Sequence, residues 1–240
     1  MLEPKILTGS TECHLTPIQT LEEGTLQIHR DSLSDFLALQ NEARNAGFDL
    51  QILSGFRSFE AQLSIWNRKA TGQRAVLDES STPIDISTLN EEALMWAILR
   101  WSALPGASRH HWGTDLDVYD ANSRPEGYEI QLVPEEVNSG CMFGAFHDWL
   151  DEQIRLGSSH GFFRPYQRDL GGVAPERWHL SHRPISRVLL RELTLDRLRE
   201  RIETSPIELK NVILNHLESI YKTYVLNIEK EPPYEHAPTS

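Results

Sequence analysis

Apolar residues recur along this chain with two different periods. Asp115 to Tyr119 alternates polar and apolar, the period of a half-buried strand, with Leu116 and Val118 on one face and Asp115, Asp117 and Tyr119 on the other. Leu50, Ile52 and Leu53 form a short apolar block that predicts a buried strand ending in Ser54 to Ser58. In residues 1–30 Pro4, Gly9, Pro17 and Gly24 interrupt short apolar pieces, which reads as loop with one or two short strands, around Gln27 to His29. Helical spacing takes over at Ser32. Leu33, Phe36, Leu37, Gln40 and Ala43 predict a helix capped by Asp31 or Ser32 and stopped by Gly47. Further helices are predicted over Phe59–Ala70, Glu91–Trp101 and 145–156, the last ended by Gly157.

Residues 71–90 have no clear period and predict a loop that could border a cleft. Residues 121–140, with Pro125, Gly127, Pro134 and Gly140, read as a polar insertion. After Pro184 two helices are predicted, over 185–202 and 206–228. The second carries an apolar stripe of Leu209, Val212, Ile213, His216, Leu217, Ile220 and Tyr221. Pro232 and Pro233 then open a tail, 231–240, expected to be disordered.

Composition narrows the function. The 240 residues are 39% hydrophobic, enough for one real core, and the net charge of −12 argues against a nucleic-acid partner. No apolar run reaches the roughly eighteen residues of a membrane span. Met1 to Ser10 lacks the basic region and apolar block of a secretory signal, so a cytoplasmic location is expected, or a periplasmic one if a leader has been trimmed. Cys13 and Cys141 allow at most one disulfide, and two reduced, buried thiols are the expectation.

The chemistry concentrates in Ser108 to Asp117. His110 precedes Gly113, where the chain can turn sharply, so its imidazole can fold back toward Asp117. About sixty residues on, Glu176-Arg177-Trp178-His179 adds a third candidate ligand in His179 and a carboxylate for proton transfer in Glu176. Two imidazoles and one carboxylate leave a fourth tetrahedral position open, as in catalytic zinc sites. Glu176 and His179 would point to opposite faces of an ideal strand, so this segment must be bent.

Ser108-x-His110-x-x-Gly113-x-x-x-Asp117, followed by Glu176-x-Trp178-His179, resembles the zinc D-Ala-D-Ala carboxypeptidase family, part of the wider group that holds lysostaphin-type and hedgehog-type domains. Ser54-Gly55-Phe56-Arg57-Ser58, with Gln62, is similar to a third family motif. The three motifs come in the family's order and span roughly residues 30–185. The resemblance implies an α+β fold, a small, mainly antiparallel sheet flanked by helices. On this reading 1–185 form the carboxypeptidase domain and 186–230 a helical extension packed on it. It also implies one Zn²⁺ per chain on His110, Asp117 and His179, Glu176 as general base and acid, and Arg57 as oxyanion partner.

By the same likeness Ser108 and Gln62 bind substrate or steady the site, and spacing to Gly113 and Asp117 selects His110 over His111. His111 would line the cleft or bond a carbonyl, and His182 would be a surface or supporting residue. Trp112 and Trp178 would pack around the metal. Asp115 stands where the family commonly has a small residue. Its carboxylate could tune the metal, meet a cationic substrate group or accept backbone bonds. The implied partners are peptidoglycan stem peptides or muropeptides. DD-carboxypeptidase, LD-carboxypeptidase and L-Ala-D-Glu endopeptidase specificities remain open, as does a non-catalytic, hedgehog-like zinc module.

Overall fold

The computed structural model describes residues 3–21 and 24–229, and it places the alternating stretch inside a sheet. In chain order the elements are the hairpin β1 (Leu15–Gln19) and β2 (Thr25–His29), α1 (Leu33–Asn45), β3 (Leu50–Ser54), α2 (Phe59–Ala70) and α3 (Glu91–Trp101). They continue with β4 (Asp115–Asp120), α4 (Gly144–Leu156), β5 (Phe162–Phe163), β6 (His179–His182), α5 (Arg183–Glu192), α6 (Leu195–Glu203) and α7 (Lys210–Ile220). The fold is α+β, two small antiparallel sheets flanked by helices. One sheet is β1-β2, and the other has the order β3-β4-β6-β5 with every pairing antiparallel. The tail expected at 231–240 lies outside the described residues.

β4 has strands on both sides and all six of its residues are buried. Leu116 and Val118 pack into a core with Leu50, Ile52, Leu180, Phe36 and Phe146. On the other face Tyr119 joins Phe143 and Trp178, leaving Asp115 and Asp117 at the end of the strand nearest the cleft. A bulge between Ile52 and Ser54 sets Ser54 opposite Asp117. Asp117 is in turn opposite His179 on β6, so residues from three neighbouring strands share one face.

A second core unites α2, α3 and the C-terminal helices. Trp66, Met95, Ile98 and Leu99 pack with Leu189, Leu198, Ile202, Ile213, Leu217 and Ile220, all buried. Trp112 belongs here too, its Nε1 donating to the Leu7 carbonyl at 3.1 Å, and not to the surroundings of the candidate metal ligands.

Several local expectations are corrected. The helix predicted over 185–202 is two helices, because Leu193 turns into the core and Thr194 caps α6 by accepting from Arg197 N–H at 3.3 Å. The helix predicted over 206–228 begins only at Lys210, after Leu209 at φ +62°, and closes in a wider turn over Tyr221–Val225. Neither Asp31 nor Ser32 caps α1. Instead Ser32 Oγ donates to the His29 carbonyl at 2.8 Å, and His29 Nδ1 accepts from Asp31 N–H at 3.2 Å, forming a helical turn before α1 starts. Both cysteines are free and exposed rather than buried.

Leu217 lies on α7 with no exposed surface and contacts the same core as α2 and α3. Leu217→Ala should therefore destabilise the whole protein, by about 2–5 kcal/mol. Chemical denaturation followed by tryptophan fluorescence should show one cooperative transition at lower denaturant; a separate early transition would mean that the C-terminal helices fold on their own.

Candidate active site

The turn Arg109–Trp112 brings His110 to the head of β4. It reverses at Gly113, φ +67°, where a Cβ would lie 2.6 Å from Leu15 Cδ2 and 2.8 Å from the His29 amide nitrogen. No larger residue fits there without moving the β1-β2 hairpin. Glu176 and His179 are likewise joined by a turn, His179 N–H donating to the Glu176 carbonyl at 3.1 Å, so both side chains reach the same side as β6 begins.

Donor atoms of His110, Asp117 and His179 all lie within 4.8 Å of one another, and all three residues are buried. His110 Nε2 is 3.5 Å from Asp117 Oδ2, and His179 Nδ1 is 3.5 Å from Asp117 Oδ1 and 3.3 Å from Glu176 Oε2. The remaining ring nitrogens point away and are engaged. His110 Nδ1 meets the Gly55 carbonyl at 2.9 Å, and His179 Nε2 meets Asp115 Oδ1 at 2.9 Å. With those nitrogens engaged, His110 Nε2 and His179 Nδ1 are the ones that face Asp117, the arrangement that metal-binding imidazoles require. The donor set thus fits a divalent cation such as zinc, with one carboxylate, two imidazoles and Glu176 at the margin.

Electrostatics agree with that fit. Burial, then the charges of Arg57 and His179, push His110 well below its ordinary value and keep it neutral. Burial pushes Asp117 up to about 6, against the pull of His179 and Arg57. For His179 burial acts downward, but hydrogen bonds to Asp115 and Glu176 and the charges of Asp115 and Asp117 outweigh it, raising the imidazole to about 9.

Of the roles open to Asp115, contact with substrate is the one the structure excludes. It has no exposed surface, and its carboxylate accepts from Arg109 Nε at 2.7 Å, Thr114 Oγ1 at 2.7 Å, Ser181 Oγ at 3.0 Å and His179 Nε2. Burial would raise it, yet the Arg109 charge and those bonds hold it well below the usual carboxylate range. With its oxygens occupied it has no face for a substrate, and it orients His179 instead. Arg109, whose Nη2 also bonds Ser181 Oγ at 2.5 Å, went unnoticed in the sequence because nothing local marks it as the partner of a residue six positions on.

Arg57 lines the same cleft as Glu176, its Nη1 donating to Gln62 Oε1 at 3.0 Å and its Nη2 to Ser54 Oγ at 3.2 Å. Gln62 also donates to the Ala103 carbonyl at 2.7 Å and is buried, so it holds Arg57 and does not line the cleft. The Ser108 side chain makes no bond to cap the turn after it, and the residue borders the cleft. His111 is fully buried, its Nδ1 meeting the Arg57 carbonyl at 2.7 Å and its Nε2 accepting from Gly106 N–H at 3.0 Å. His182 is buried as well, bonded to Asp35 at 2.8 Å, which overturns the surface alternative.

The cleft holds about 260 Å³, and the loop after α2 contributes Arg74 and Leu77 to its wall. The polar insertion contributes Gln131 and Leu132. It is pinned by the buried Glu136, which accepts from Tyr128 Oη and Gln131 N–H, both at 2.8 Å. Trp178 borders the cleft, as does Tyr166, whose ring meets the His179 ring edge-on at 5.1 Å.

Two outcomes follow for metal binding. Asp115→Asn should weaken zinc affinity about 10–100-fold, while His111→Ala should keep full occupancy and His110→Ala should lose it. Because His179 keeps its proton up to about 9 without metal, capture at Nδ1 must displace that proton. Apparent zinc affinity should therefore fall on acidification from that value, as read by competition with a chromophoric chelator at several pH values; a flat profile would remove His179 from the ligand set.

Residues 25–185 match the family of D-alanyl-D-alanine carboxypeptidases, typified by VanY. Two proteins of Haemophilus influenzae, both described only as uncharacterized, are similar to this chain. One is 40% identical over 103 residues, 43% of this chain and 70% of that protein. The other is 28% identical over 125 residues, 51% of this chain and 93% of that protein. Among solved structures, the LD-carboxypeptidase LdcB shares the fold at 21% identity and a TM-score of 0.50, over 78% of this chain and 77% of that one. VanYB in complex with D-Ala-D-Ala is similar at 22% identity and a TM-score of 0.47, over 80% of this chain and 90% of that one. With the family's match spanning β2 to the start of α5 and so both halves of the site, this chain belongs to the D-alanyl-D-alanine carboxypeptidase family.

Proposed function

We propose that this protein is a zinc-dependent carboxypeptidase that removes the terminal D-amino acid from peptidoglycan stem peptides. The reading rests on one observation above others: His110, Asp117 and His179 converge, with Glu176 Oε2 3.3 Å from His179 Nδ1 and Arg57 lining the same cleft. Zinc, when bound, supplies Lewis acidity that makes water nucleophilic near neutral pH and polarises a carbonyl. His110 Nε2 and His179 Nδ1, with Asp117, would hold it, the two rings being oriented by the Gly55 carbonyl and Asp115.

Glu176 takes a proton from the attacking water as the water oxygen adds to the scissile carbonyl carbon. As the C–N bond breaks, the same carboxylate returns that proton to the departing amine, so no net proton is consumed. Arg57 donates to the carbonyl oxygen as negative charge grows there. Its orientation is set beforehand by Gln62 and Ser54, so little reorganisation accompanies the step. Both residues also weigh against the rival reading, a zinc module that only binds, because a binding surface needs no proton shuttle.

The test is mass spectrometry of muropeptides bearing penta-, tetra- and tripeptide stems, incubated with zinc-loaded protein. Loss of one terminal D-Ala from the pentapeptide is expected. Glu176→Ala should keep one zinc per chain and lose roughly 10²–10⁴-fold in turnover. Loss from the tetrapeptide instead would assign LD-specificity, and a cut within the stem an endopeptidase. No change in any stem with zinc bound would replace hydrolysis by the binding-module reading. Arg57→Lys should lower kcat more than it alters KM, because an ammonium cannot reproduce the fixed fork of donors.

A further inference from the structure

Four arginine or lysine cations line the cleft that holds Glu176: Arg57, Lys69, Arg74 and Arg109, the last already paired with Asp115. Arg57 is held by Gln62 and Ser54 at the place of the scissile carbonyl. Lys69 is a different matter. It comes from the last turn of α2, is only 6% exposed, and its Nζ donates to Ser102 Oγ at 2.7 Å. Among the described residues no carboxylate lies within ion-pair distance of it, and Arg74 is likewise without an ion pair.

A buried ammonium satisfied only by a neutral hydroxyl is costly. In a chain with 35 acidic residues and a net charge of −12, the missing partner does not reflect a shortage of carboxylates. Burial, and after it the charge of Arg74, push Lys69 down to about 8, while Glu176 is near enough for its charge to act in the opposite sense. The wall of the cleft is therefore short of one anion.

Peptide chemistry says where that anion would come from. Glu176 protonates the departing amine, and the α-carboxylate carbon of the departing residue is two bonds from that nitrogen, about 2.5 Å. A free terminal carboxylate would thus lie on the Glu176 side of the cleft, where a second negative charge needs a cation beside it. We propose that Lys69, oriented by Ser102 and reinforced by Arg74, binds the α-carboxylate of the departing residue and so restricts the site to free C-termini. This assignment rests on the hydrolytic reading above and adds the residue that makes the enzyme an exopeptidase.

The experiment compares an N-acetylated peptide ending in D-Ala-D-Ala with its C-terminal amide. Turnover is measured for the zinc-loaded wild type, Lys69→Met and Lys69→Arg, and calorimetric binding of both peptides for zinc-loaded Glu176→Gln. Wild type should prefer the acid by about a hundredfold in kcat/KM, the scale of one desolvated charge pair. Lys69→Met should shrink that preference to less than about tenfold, chiefly through KM, and Lys69→Arg should retain most of it. Acid-selective binding without turnover, abolished when Lys69→Met is added to Glu176→Gln, would uphold Lys69 and overturn hydrolysis. Turnover with equal handling of acid and amide by the wild type would do the reverse, and needs no variant to interpret. Equal losses on both peptides in Lys69→Met would also overturn the assignment, leaving Lys69 a structural residue.

Discussion

Asp117 on β4 and His179 on β6 stand directly opposite each other, and the rest of the cleft is placed relative to that pair. Cross-strand neighbours have side chains on one face at close range, so the backbone ladder itself aims a carboxylate and an imidazole at a common point. The bulge in β3 brings Ser54 against Asp117 from the other side, which delivers the chain that carries Arg57. His110 completes the set from the turn at the head of β4, closed by a glycine that no larger residue could replace without moving the hairpin. Rigid strands thus hold Asp117 and His179, while His110, Arg57 and Glu176 sit on short turns and connections beside the strand ends.

Behind this face lies a layer of buried charge. Asp115 is ionised at the centre of the protein because Arg109, Thr114, Ser181 and His179 satisfy its oxygens. A buried ion pair contributes little to stability on balance, but removing one partner strands the other. Its use here is geometric. Asp115 fixes which nitrogen of His179 faces Asp117, and Arg109 keeps Asp115 charged enough to do so. The cleft wall shows the opposite economy, with Lys69 and Arg74 left without a carboxylate partner among the described residues of an acidic chain.

Much of the scaffold was legible in local pattern. Helices over Phe59–Ala70 and Glu91–Trp101 run over the predicted residues, because side chains three and four apart lie on one helical face whatever the tertiary context. The two faces of β4 separate as alternation requires. Pattern failed where a break left the apolar count intact. Leu193 is buried, so periodicity carries straight through the turn that divides α5 from α6. It failed at Trp112 as well, since a tryptophan beside candidate ligands in sequence can point to the opposite side of its turn.

The sequence by itself determined most of the helices and, through its likeness to a known family, the α+β class, and it put His110, Asp117, Glu176 and His179 forward as one set. Short-range periodicity and motif spacing are properties of a linear chain. Tertiary structure alone decided what each polar side chain is bonded to. Asp115, two residues from Asp117 on the same strand face, became a support for His179 and not a substrate contact, because Arg109 and Ser181 close around it. Gln62 became the brace of Arg57, and Lys69 an unpaired charge in the cleft wall. Hydrogen-bond partners as distant as Arg109 and Ser181, 72 residues apart, or Asp35 and His182, 147 apart, leave no trace in local spacing, and only folding brings them within the ~3 Å at which they act.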